Sequence, residues 1–228
     1  MLKEILRLFK KSNLFMEAHQ EACQMLKSDN QMFDNVCAKL RGRPIPHPDI
    51  NIFDEEKKVD KIERAIRKKV LTHLSLSSTA DTPGGIILIG IVIDLERIGD
   101  YTTNIAELSQ AVFQKLEVGD LEEELQDIEK NIETDFDIVS YAFENYDKES
   151  AQSVASKTVP RQCDALLDKL MKEDLKLSPQ NAVISALYIR YLKRVASHLI
   201  NVATTLVQPF DKVRFLSSDI SKQPTNSQ

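Results

Sequence analysis

The chain repeats itself, and no other feature limits so strongly what it can fold into. Laid over one another without gaps, Leu95–Ala106 and Leu192–Ala203 share a leucine, an arginine, an asparagine and the closing alanine, while Ile98/Val195, Gly99/Ala196 and Ile105/Val202 keep their size class. An earlier stretch of each half also corresponds, Glu56-Lys-Lys-Val-Asp60 over Pro160-Arg-Gln-Cys-Asp164, each set against an apolar helical pattern. This agreement reads as an internal duplication. A chain of 228 residues has room for two units of about 100–120 residues, each able to bury a core.

The repeated unit is helical. Ala18, Ala22, Met25, Leu26, Met32, Phe33, Val36 and Leu40 recur at helical spacing and predict a long first helix to about Arg41. Its start, with Leu2, Ile5, Leu6 and Phe9 among Lys3, Arg7, Lys10 and Lys11, is amphipathic and basic. It is expected to pack on the chain's own core, with an anionic lipid surface or a membrane partner as the alternative. Three prolines and a glycine in 41–48 stop that helix. Val59, Ile62, Ile66, Val70 and Leu74 mark a second helix; Asp81-Thr-Pro-Gly84 reads as the capped start of a third, running from about Pro83 to Leu116. After the polar break at Glu117–Asp120, Ile128, Ile132, Phe136, Val139 and Phe143 predict a fourth helix, Ala151 to Met171 a fifth and Pro179 to Val207 a sixth. The predicted fold class is all-α, two tandem three-helix bundles over 1–116 and 120–210 related by a pseudo-twofold duplication, with the polar 217–228 a disordered tail.

Composition narrows the function. Residues are 42% hydrophobic and 29% charged, which suits a helix-rich globular protein, and a net charge of −5 supplies no positive field for nucleic acid. Cys23, Cys37 and Cys163 form no Cys-x-x-Cys pair, so neither a disulfide framework nor a thiolate zinc site is expected, and a reducing cytoplasm fits. The longest apolar run, Ile86 to Ile93, is far short of the ~20 residues that span a bilayer, and the N-terminus does not read as a signal peptide.

The chemistry-bearing residues are acids. On a helix, Glu96, Asp100 and Asn104 lie four apart with Glu107 three further on, along one stripe. Taken alone, such a stripe is a solvated face with Arg97 as partner. Glu56 and Asp60 give the second helix its own pair, and a unit that points Glu56, Asp60, Glu96 and Asp100 into one space concentrates negative charge that a cation or a proton must offset. Oxygen-preferring cations suit such a set: iron, manganese, magnesium or calcium, and zinc with more strain. In the second half the same positions read Pro160, Asp164, Lys193 and Ser197. A Lys193–Asp164 ion pair is expected to replace the cation there, leaving that half without metal. Gly99, mid-helix where glycine costs ~1 kcal/mol against alanine, predicts close approach of a second helix. Glu63 with Arg64 or Arg67 is read as a surface ion pair, and His198 as a partly exposed helix residue.

The motifs Glu56–Asp60 and Leu95–Glu107 resemble those of the PhoU family of phosphate-signalling regulators, tandem three-helix bundles marked by Glu/Asp-x-x-x-Asp. The resemblance extends to total length and duplication, and is strong in the first half and weak in the second. It implies a cytoplasmic, non-enzymatic protein that binds metal, iron or zinc in multinuclear clusters, on Glu56, Asp60, Glu96 and Asp100, with Asn104 and Glu107 as weaker candidates. It also implies an adaptor between a membrane phosphate transporter and a sensor kinase, held at the membrane through its partner, with homodimerisation as an addition. Two alternatives stay open: regulation of another ion transporter, for potassium or a sodium–phosphate carrier, and a carboxylate-bridged metal enzyme. Against the enzyme stand the absence of Glu-x-x-His spacing, of a Walker loop and of a Gly-x-Ser-x-Gly elbow.

Overall fold

A computed structural model describes residues 13–76, 82–112, 115–172 and 175–208. The basic amphipathic start, the Asp81 cap and the 217–228 tail lie outside these. The described residues form α1 (Asn13–Leu40), α2 (Ile52–Leu76), α3 (Thr82–Gln110), a 3-10 turn (Gly119–Leu121), α4 (Glu122–Asn145), α5 (Lys148–Ala155), α6 (Val159–Lys172) and α7 (Pro179–Val207), and no strand among them. The fold class is all-α, as expected from the periodicities.

Helices α1, α2 and α3 pack on one another, and α7 packs on α4, α5 and α6. The two groups meet along two antiparallel seams, α1 on α4 and α3 on α7. On the first, His19 donates from Nε2 to the Phe143 carbonyl at 3.0 Å, Phe33 lies 5.3 Å from Phe136, and Arg41 reaches Glu122 at the far end. On the second, Tyr101 stacks on His198 with centroids 5.8 Å apart, and these two residues are counterparts in the sequence repeat. One apolar core runs through both groups, from Phe15 and Leu26 through Ile98 to Phe136 and Leu199.

Two predicted elements differ. The third helix ends at Gln110 and not at Leu116, because the chain then turns back so that the Leu116 amide donates to the Leu40 carbonyl at 2.8 Å. The expected fifth helix is broken into α5 and α6 at 156–158. Pro160 lacks the amide that a continuous helix would pair with the Ser156 carbonyl, and its ring disfavours helical backbone before it. Sharp starts follow local capping: Ser178 accepts from the Asn181 amide at 3.1 Å with Pro179 in the first turn of α7, and Asp147 accepts from the Glu149 amide at 3.1 Å before α5.

A buried polar network ties α1, α4 and α7. Glu129 is almost wholly enclosed, pairs with Arg41 at 3.3 Å and with Arg43, and accepts a 2.8 Å hydrogen bond from the Tyr188 hydroxyl. Enclosure pushes the Glu129 carboxyl up, and the two guanidinium groups and the tyrosine hydroxyl oppose that. Tyr188→Phe leaves part of this carboxylate unsatisfied and is expected to destabilise the protein by about 1.5–3 kcal/mol, read as a lowered urea midpoint.

Candidate functional site

Helix α3 is apolar on most of its circumference, with Ile87, Leu88, Ile91, Leu95, Ile98 and Ile105 all buried. Where α2 runs beside it the seam turns polar, as it also does at Asp94 against α7. The interval of four puts Glu56 and Asp60 on one edge of α2, and Glu96 and Asp100 on one edge of α3. All four side chains are half-buried.

Their electrostatics place them in one shared field. Burial, then Asp60 and Asp100, raises the carboxyl of Glu56 above its ordinary value. Burial, then Asp100, raises Glu96, with Arg97 opposing and Asp60 and Glu63 adding to the rise. Asp100 is raised by burial and by Asp60, against Arg97 and His198. Glu56, Glu96 and Asp100 thus resist ionisation because they are partly buried and have other acids as neighbours. The carboxylates do not converge, however, and among the described residues no three acidic, imidazole or thiol side chains are gathered as a metal-ligand group. Arg97 Nη1 donates to Asp100 Oδ2 at 3.2 Å while its Nε lies 3.5 Å from Glu96 Oε2, and Arg64 donates to Asp60 at 3.2 Å. Such half-exposed pairs contribute only ~0.5 kcal/mol each. Of the weaker candidates, Asn104 is half-buried and Glu107 exposed.

Several groups near this seam have burial or partners that the sequence reading did not give, though His198 is partly exposed as expected. Glu63 is buried and not on the surface; it takes Arg67 at 2.8 Å, while Arg64 serves Asp60. His198 is tied across the α3/α7 seam, its Nδ1 2.7 Å from Asp94 Oδ1, and Asn201 donates to the same oxygen at 3.0 Å. Asp29 of α1, which no motif marks, is fully buried beside Gly99, and Ser28 donates to Glu55 at 2.8 Å. A buried aspartate in an otherwise apolar stripe between Met25 and Met32 was the available signal. The close approach expected at Gly99 is present: a Cβ there would stand 3.1 Å from Asp29 Oδ1 and 3.7 Å from Val59 Cγ1.

The second half carries its own cations. Lys193 Nζ holds both oxygens of Asp164, at 2.6 and 2.7 Å, and Ser197 donates to the Lys193 carbonyl on its own helix. Lys157, in the break between α5 and α6, donates to the fully buried Asp135. A groove opens elsewhere, between α1 and α4, lined by His19, Cys23, Lys27, Asp137 and Glu144. Burial pushes the Cys23 thiol there up to about 12, far from nucleophilic.

Comparison with known proteins fits this architecture. Residues 50–109, the stretch that holds α2, α3 and all four acids, match the PhoU domain. The fold matches the crystal structure of PhoU from Pseudomonas aeruginosa with a TM-score of 0.72 at 21% identity, over 85% of this chain and 95% of that one. It matches the phosphate transport system regulatory protein PhoU from Streptococcus pneumoniae with a TM-score of 0.69 at 19% identity, over 93% of this chain and 98% of that one. The curated proteins gave no match. Residues 50–109 thus match the PhoU domain, and the chain that carries them has the fold of the two PhoU crystal structures.

Proposed function

We propose that this protein regulates phosphate transport by binding a membrane transporter component or a sensor kinase, without catalysis of its own, and that its first half binds divalent metal on Glu56, Asp60, Glu96 and Asp100. The regulatory reading is supported by the match to the PhoU domain and by the shared fold of the Streptococcus pneumoniae phosphate transport system regulatory protein. The metal reading is carried by one observation. Burial and neighbouring acids raise Glu56, Glu96 and Asp100, and the ion-pair partners found in the α2/α3 seam are the exposed Arg64 and Arg97, whereas lysines neutralise Asp164 and Asp135 in the second half. A donor set made only of carboxylate oxygen suits iron, manganese or magnesium, with zinc also accepted. The ion would supply positive charge between α2 and α3, and Glu56, Asp60, Glu96 and Asp100 would hold it. The second half, with Lys193 in place, would bind none.

Elemental analysis of the purified protein is expected to find iron, zinc or manganese, and the Glu96→Ala, Asp100→Ala double variant is expected to lose it. A metal-free wild type sinks the ligand assignment. Phosphatase activity that follows the protein and vanishes in that variant would replace the adaptor with a metal hydrolase.

The charge cluster also makes a pH prediction for metal-free protein. A carboxyl whose folded pKa lies above its unfolded value holds its proton more tightly when folded, so its stabilising contribution is full below about 4.5 for a glutamate and is lost as pH rises through the folded value. In chelator, Glu96→Gln with Asp100→Asn is expected to gain stability relative to wild type as pH rises from about 4.5 toward 7. Urea midpoints across that range measure it, and parallel curves for the two proteins contradict it.

A further inference from the structure

We propose that Asp29 of α1 is an inner carboxylate of the same site, a fifth oxygen donor to a divalent cation that forms its floor beneath Glu96 and Asp100. This rests on the metal-binding reading above and adds a ligand from a helix outside both motifs.

Asp29 is wholly enclosed, and neither of its carboxylate oxygens meets a hydrogen-bond donor among the described residues. Other enclosed acids have a basic partner: Glu129 has Arg41 and Arg43, Asp135 has Lys157, Asp94 has His198, and Glu63 has Arg67. The charged groups that bear on Asp29 are all acids, Glu96 first, then Asp100 and Glu55. A carboxylate removed from water without a partner costs several kcal/mol. A cation shared with Glu96 and Asp100 offsets that cost for the whole set at once.

Gly99 supplies the opening. It lies between Glu96 and Asp100 in sequence, and Asp29 Oδ1 stands 3.1 Å from where its Cβ would be. With no side chain at 99, the space beside the buried carboxylate is left free. The counterpart of Gly99 in the repeat is Ala196, whose methyl group fills that position in the half where Lys193 takes the place of the glutamate.

The test is Mn²⁺ titration of the chelator-stripped full chain, by calorimetry and by loss of the free-ion EPR signal. Asp29→Asn keeps shape and removes charge; it is expected to weaken Mn²⁺ binding at least tenfold while raising the melting temperature of the metal-free protein. Gly99→Ala, which alters no carboxylate, is expected to weaken binding in the wild-type background and to add nothing in the Asp29→Asn background. Wild-type affinity in Asp29→Asn, or equal losses from Gly99→Ala in both backgrounds, overturns the assignment. If Asp29→Asn does not fold, unchanged Mn²⁺ affinity in Gly99→Ala alone overturns it. A wild type that binds Mn²⁺ while Asp29→Asn binds it equally well refutes only the fifth ligand; a wild type that binds none refutes the metal site and this inference together.

Discussion

The structure depends on α3 reaching α1, α2 and α7 at the same time. Its buried isoleucines and leucines leave few directions free, and small residues occur where neighbours press closest. At Gly85 a Cβ would meet Leu74 at 2.8 Å, and at Gly99 it would meet Asp29 and Val59. Interiors packed this tightly respond to a single methyl group. Of the acids of α3, Asp94 is taken up by His198 and Asn201 of α7, while Glu96 and Asp100 feel Asp60 of α2, where a second pair of acids already stands.

The two halves solve one electrostatic problem differently. In the second, ammonium groups are built into the chain: Lys193 on α7 grips Asp164 on α6, and the break before Pro160 brings Lys157 to Asp135. In the first, no lysine occupies the corresponding place, and Glu56, Glu96 and Asp100 are held above their ordinary range by burial and by neighbouring acids. The lysines make the second half electrostatically self-contained. The first half remains short of positive charge at the junction of its three helices.

Much of this was legible in the sequence. The apolar stripes of α1, α2 and α4 predicted the buried faces, since 3.6-residue periodicity is set by the same packing that buries them. The Lys193–Asp164 pair followed from a charge swap between repeats, and Gly99 from its position inside a helix. What escaped was whatever depends on which helix lies opposite. Asp29 has no motif around it, and its environment comes from Glu96 and Asp100, some 70 residues away. His198 looks solitary until α3 brings Asp94 to 2.7 Å, and Glu63 looks like a surface acid until α2 turns it inward. Local pattern sets which face of a helix is buried; polar partners across a seam are fixed by tertiary register.

Arg97 gives the outer carboxylates a distinctive starting state. Its guanidinium lies against both Glu96 and Asp100, on an exposed and flexible stem. Any cation entering between α2 and α3 therefore takes part in an exchange, in which a bound guanidinium leaves and a new ion takes over its carboxylates. A monovalent ion replaces one unit of charge with one and gains little against a partner that already donates hydrogen bonds. A divalent ion, if the proposed site takes one, would bring twice the charge to a cluster of acids and would release Arg97 to solvent beside the α2/α3 seam. On that reading Arg97 would favour divalent over monovalent ions, and its position would report whether the carboxylates behind it are occupied.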